Sequence, residues 1–148
     1  METQPTLAGL INFCRTVVGI TVDAMPDASP GFQTALDFTN EWIPDQLAAV
    51  SPGLYTAATY NWAASLIIEY QPDQTGQVLF TQLRQSFGVG NFVPGVLTSV
   101  SNEATSESLT IGKGLSNLSI VDLQRAKDPY GRTALGILQQ LGTLWGLN

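Results

Sequence analysis

The sequence predicts a mainly α fold: a helical bundle interrupted late in the chain by a β-hairpin or extended arm and closed by a C-terminal docking segment. Three observations predict it. Apolar residues recur at spacings of three and four through the first 88 residues, Ser-Pro and Asp-Pro pairs mark helix starts at three places, and the pattern changes to period two only after Gly88. With 148 residues the chain is the size of one domain, which buries roughly 70% of its unfolded surface. We divide it into a bundle over 1–88, an arm or hairpin over 89–114, and C-terminal helices with a tail over 115–148.

The first helix is expected over about 6–20, where Leu7, Leu10, Ile11, Cys14, Val17 and Val18 form one stripe. A connector with two prolines and a glycine follows, and Ser29-Pro30 then reads as an N-cap with proline in the first turn. The second helix runs to about Trp42, bounded by Pro44, with Phe32, Ala35, Leu36 and Phe38 available for packing. Ser51-Pro52 repeats the start for a third helix to about Tyr70 that is apolar on nearly all sides, as a central helix must be. A fourth is expected over about 76–87, with Leu79, Leu83 and Phe87 four apart.

From Gly88 to Gly114 the chain is rich in Gly, Val, Thr and Ser, and Val96, Thr98 and Val100, then Leu109 and Ile111, alternate around a polar stretch over 101–107. A lone hairpin is marginal in water, so Val96, Val100, Leu109 and Ile111 are expected to pack on another subunit. Ser119 can cap a helix from Ile120 to Lys127, with Asp122 in its first turn. Asp128-Pro129 starts a last helix with Tyr130, Ala134, Leu135, Leu138 and Leu141 on one side. The tail carries Leu144, Trp145, Leu147 and Asn148.

The net charge is −6 and the pI about 4.2. Such a chain lacks the clustered cations that grip phosphate backbones, so nucleic acid is not an expected ligand. The charge is polarised, with a net −7 over residues 1–75 and +1 over 76–148, which suits stacking of copies acidic face to basic face. Solvated faces alone give the same counts. Apolar residues form 44% and charged residues only 12%, so part of the surface is either uncharged and polar or covered by a partner.

Chemistry is sparse. The chain has no histidine and one cysteine, which removes the Ser-His-Asp arrangement, histidine or thiolate zinc cages and the commonest general base. Cys14 reads as a small buried hydrophobe. Gly88-Val-Gly90 lacks the third glycine of a dinucleotide loop. Glu69 with Asp73, and Glu103 with Glu107, fall in loops or at helix ends, where carboxylates are usually solvated. No enzyme and no cofactor or metal is expected. The start has no basic region before an apolar run, so no signal peptide is read, and the apolar stretch 54–68 is too short and too polar to span a bilayer; no membrane partner is expected. Asn117-Leu-Ser119 matches a glycosylation acceptor by chance. Trp42 and Trp62 read as core. Trp145, near Gly142 and Gly146, is equally suited to docking within the chain or on a partner.

Three segments together carry a resemblance: Leu54-Tyr-Thr-Ala-Ala-Thr-Tyr-Asn-Trp-Ala-Ala-Ser-Leu-Ile-Ile; Ser101-Asn-Glu-Ala-Thr-Ser-Glu-Ser-Leu; and Leu118-Ser-Ile-Val-Asp-Leu-Gln-Arg-Ala-Lys-Asp-Pro-Tyr-Gly-Arg with the ending Gly142-Thr-Leu-Trp-Gly-Leu. In order and spacing they resemble small proteins encoded with the portal genes of tailed bacteriophages, the head-to-tail connectors or adaptors. The resemblance implies a structural protein of the virion neck, assembled in the host cytoplasm. Such proteins form a ring of copies, commonly a dodecamer, beneath the portal protein and join it to a tail or nozzle protein while DNA passes through the channel without specific binding. It also implies that an arm or C-terminal segment docks on the portal, for which Tyr130, Arg132, Leu144, Trp145, Leu147 and Asn148 are the candidates. The alternative is a non-viral cytoplasmic protein-interaction module of helical-bundle type, and a small carboxylate hydrolase is a third class.

Overall fold

The computed structural model describes residues 4–89 and 127–144. Regular structure among them is helical, with no strand: α1 (Leu7–Phe13) continuing into a π-helical turn (Cys14–Val18), α2 (Pro30–Trp42), α3 (Leu47–Val50), α4 (Pro52–Tyr70), α5 (Leu79–Phe87) and α6 (Pro129–Leu144). The expected arm residues Val96, Val100, Leu109 and Ile111, the helix expected from Ile120, and the tail residues Trp145, Leu147 and Asn148 lie outside the described residues.

Thr6 caps α1 by accepting from the Gly9 N–H at 3.0 Å. The helix does not run to Ile20 as its stripe suggests. It widens after Phe13 and stops at Val18, because Gly19 takes φ +83°, a left-handed conformation that glycine adopts without steric cost. The connector that follows is gathered by Arg15. Its guanidinium donates to the carbonyls of Ile20 at 2.8 Å, Thr21 at 3.1 Å and Met25 at 2.6 Å, pairs with Asp27 at 2.5 Å, and lies 5.5 Å from the centre of the Phe32 ring.

Ser29 occupies the N-cap position of α2 with Pro30 in the first turn, although its side chain makes no capping bond. Pro44 follows the extended Ile43 and ends the helix. The single turn α3, between the second and third expected helices, places Leu47 in the core. The helix expected from about 76 starts at Leu79. Asp73, well upstream, supplies its cap: the carboxylate accepts from the N–H groups of Phe80 at 2.8 Å and Thr81 at 3.1 Å and from the Thr81 hydroxyl, which fixes the first turn at those residues.

The central helix is α4, as its all-round apolarity predicts, and it packs on α1, α2, α3, α5 and α6. Two of its buried polar side chains are satisfied along the helix: Thr59 donates to the Tyr55 carbonyl and Asn61 to that of Ala57, each at 2.8 Å. One apolar cluster joins Leu10, Cys14, Met25, Phe32, Leu36, Ala63, Ile67 and Phe80; a second joins Ile43, Leu47, Tyr55, Ala58, Trp62, Ala134 and Leu141, and Leu66 packs against both. Because Asp128 bonds Ser65 while Leu141 lies in the cluster with Tyr55, α6 runs antiparallel to α4.

Candidate functional site

Three of the large exposed apolar side chains line one groove. Helix α2 contributes Gly31, Thr34, Ala35, Phe38 and Trp42, spaced to fall on one face, and α4 contributes Trp62, Leu66, Ile67 and Tyr70 with Gln71 beyond it. The groove has a volume of about 530 Å³. Phe38 is 53% exposed, Trp42 59% and Tyr70 68%. Trp42 stacks on the buried Trp62 with ring centres 6.5 Å apart and planes 26° from parallel.

This corrects the placement of Trp42 in the core, and Phe38, expected to be available for packing, lies on the same exposed wall. The inward face of α2 is set by Phe32, Ala35, Leu36 and Thr39; Phe38 and Trp42 follow Gly31 at intervals of seven and eleven residues and so form the groove wall. Helical spacing could have separated the two faces, but nothing in the sequence says which face meets α4. At the groove's end Gly31 leaves room for the side chains of Gln71 and Met25. A β-carbon there would collide with the Gln71 side-chain oxygen and lie 2.8 Å from Met25 Cε.

Acids flank the groove on α2. Asp37 precedes Phe38 and is held by Gln33, whose amide donates to it at 2.7 Å, and Glu41 precedes Trp42; both acids are exposed. A second, polar depression of about 610 Å³ is lined by Gln4, Pro5, Asn40, Glu41, Ile43, Pro44, Asp45 and Tyr55. Burial, and then the Asp45 charge, push the Tyr55 phenol above its ordinary value against a hydrogen bond with Thr59. Among the described residues no three His, Cys, Asp or Glu side chains come together to hold a metal ion, and no helix is long and apolar enough to cross a membrane.

Of the expected docking residues, Tyr130 and Arg132 are described with their surroundings, while Trp145, Leu147 and Asn148 lie outside the described residues. The Tyr130 ring packs edge-on against Phe13 and Phe87, each 6.4 Å away, and burial, followed by the Asp128 charge, raises its phenol pKa. Phe13 also lies 6.0 Å from Tyr60, whose hydroxyl accepts from the Thr6 N–H at 3.1 Å. Arg132 is exposed on the first turns of α6 and donates to the Lys127 carbonyl at 3.0 Å. Leu144 ends α6. Cys14 is fully buried, and that burial pushes its thiol up to about 12 despite the opposing pull of Arg15. Of the acid pairs, Asp73 serves α5 as its cap, and Glu103 and Glu107 lie outside the described residues.

Comparison with known proteins gives no match to a family model, a curated protein or a solved structure.

Proposed function

We propose that this chain is a structural subunit of the virion neck, a head-to-tail adaptor that assembles as a ring beneath the portal protein, joins it to the tail or nozzle protein and leaves a channel for DNA. The observation that carries this reading is the resemblance of the three segments, in order and spacing, to proteins encoded with portal genes. The first of those segments is the central helix α4, and the third runs into α6, its antiparallel neighbour. An apolar groove with three exposed aromatic walls is an assembly feature. The acids that predominate in the first half, Asp23, Asp37, Glu41 and Asp45 among them, suit a channel wall that repels phosphate and lets a duplex slide.

The test is the solution mass by light scattering, alone and with the portal protein, together with electron microscopy of the assembled fraction. A ring many times the 15.8 kDa of one chain, formed alone or on the portal, is expected. A monomer or dimer in both conditions returns the reading to a non-viral interaction module.

A further inference from the structure

The α2/α4 groove is elongated, and its two walls run antiparallel: Trp42 of α2 stacks on Trp62 of α4 at one end, and Gly31 abuts the Gln71 side chain at the other. From Gly31 to Trp42 the α2 wall is about 16 Å long at ~1.5 Å per helical residue. One rim is acidic. Asp37 stands three residues past Thr34 and Glu41 three past Phe38, a spacing that makes each acid the surface neighbour of a wall residue. Both acids are exposed, while Phe32, Leu36 and Thr39 of the same helix are buried. At the Gln71 end the Arg84 guanidinium is already committed, for it donates to the carbonyls of Ile68 at 3.0 Å and Gln71 at 2.8 Å and lies 4.0 Å from the Asp73 carboxylate.

We propose that this groove is the docking site for an amphipathic helix of a partner protein, one that carries apolar anchors along one side and lysine or arginine beside them. The helical form follows from the walls. Both walls are helices whose backbone groups are bonded internally, so they offer an extended chain no edge to pair with, whereas a helix brings its own hydrogen bonds and needs only an apolar seat. About three helical turns fit along the wall, enough for anchors at i, i+4 and i+7 to meet the exposed rings of Phe38, Trp42 and Tyr70. The charge follows from the rim, where Asp37 and Glu41 attract cations and repel an acidic segment. A second copy of the chain is the poorer occupant: each cation among the described residues, Arg15, Arg84, Lys127 and Arg132, already donates within its own chain. The inference does not rest on the ring reading. In a ring it takes Asp37 and Glu41 out of the channel wall and leaves Asp23 and Asp45 to it.

The experiment titrates the full-length chain with two end-blocked synthetic helices of about 14 residues, long enough to cover the wall at ~1.5 Å per residue. They share one leucine stripe, and the remaining positions are lysine in one peptide and glutamate in the other. Titration calorimetry is run in 0.15 M salt, where attraction beyond about 8 Å is screened. The leucine–lysine helix is expected to bind at least ten-fold more tightly than the leucine–glutamate helix. Trp42→Ala should weaken that binding at least ten-fold while helical circular dichroism is retained. The double variant Asp37→Lys, Glu41→Lys should reverse the preference between the two peptides, although the chain as a whole stays net negative. A double variant that still prefers the lysine peptide overturns the proposal, because bulk charge then accounts for the binding. Undiminished binding to Trp42→Ala overturns it too, since the peptide then lies off the groove, as does no measurable binding of either peptide. Light scattering in which the chain alone self-associates and Trp42→Ala abolishes that association also overturns it, because the groove is then filled by a second copy.

Discussion

Ser65 and Asp128, 63 positions apart, are joined by a 2.6 Å hydrogen bond from the Ser65 hydroxyl to one carboxylate oxygen of Asp128, and both residues are fully buried. The other oxygen accepts from the Gly131 N–H at 2.8 Å and caps α6. One side chain therefore starts a helix and fixes that start against the middle of α4. Ser65→Ala is expected to cost about 1.5–3 kcal/mol, the range for a hydrogen bond to a charged group. Asp128→Ala, which also removes the cap, is expected to cost more. Urea unfolding of the two single variants and the double variant measures the coupling, which should exceed about 0.5 kcal/mol; simple additivity would show that the bond is not an energetic link.

Acid should weaken the chain partly through Asp73. Burial acts to raise its pKa, but the Thr81 hydroxyl, the N–H groups of Phe80 and Thr81 and the Arg84 guanidinium together hold it below the usual 3.8. A carboxylate depressed in the folded state contributes stability that is present above its unfolded pKa and is lost as pH falls through the folded one. Wild type should thus exceed Asp73→Asn in melting temperature at pH 7, and the gap should close below about pH 4. A gap that persists unchanged at pH 2.5 would contradict this account.

The Cys14 thiol, pushed up to about 12 and fully buried, should be inert toward a disulfide reagent in the native protein at pH 8 and react stoichiometrically once unfolded in guanidinium. Its raised pKa contributes stability that is complete below the ordinary value of 9.0 and is lost as pH rises from there toward 12, since the unfolded thiol ionises first. Rapid labelling of the folded chain would place Cys14 at the surface.

The two stacked tryptophans should behave in opposite ways. Trp62, only 5% exposed, fills the second apolar cluster, and Trp62→Ala should cost about 3–5 kcal/mol in unfolding experiments. Trp42, 59% exposed, should cost about 0.5–1.5 kcal/mol, chiefly its share of the ring contact. Acrylamide should quench fluorescence in Trp62→Phe more strongly than in Trp42→Phe, because the first variant keeps the exposed indole. Equal quenching would mean that the groove is closed in solution.

Much of the bundle was decided locally. Ser29-Pro30, Ser51-Pro52 and Asp128-Pro129 set helix starts through the fixed φ of proline, and the sequence over 54–68, apolar on nearly all sides, marked the central helix. The absence of histidine and the single cysteine removed most catalytic chemistry before any fold was known. Tertiary structure decided what depends on distant partners. Gly19 ended the first helix two residues early through a backbone conformation, and Asp73 set the start of α5 by reaching across a loop. Asp128 bound Ser65, a pairing that no local spacing encodes. The groove was hidden for the same reason: Phe38 and Trp42 look like core residues by hydrophobicity, and only the azimuth at which α2 meets α4 turned Phe32 and Leu36 inward and left those two aromatic rings as an exposed wall.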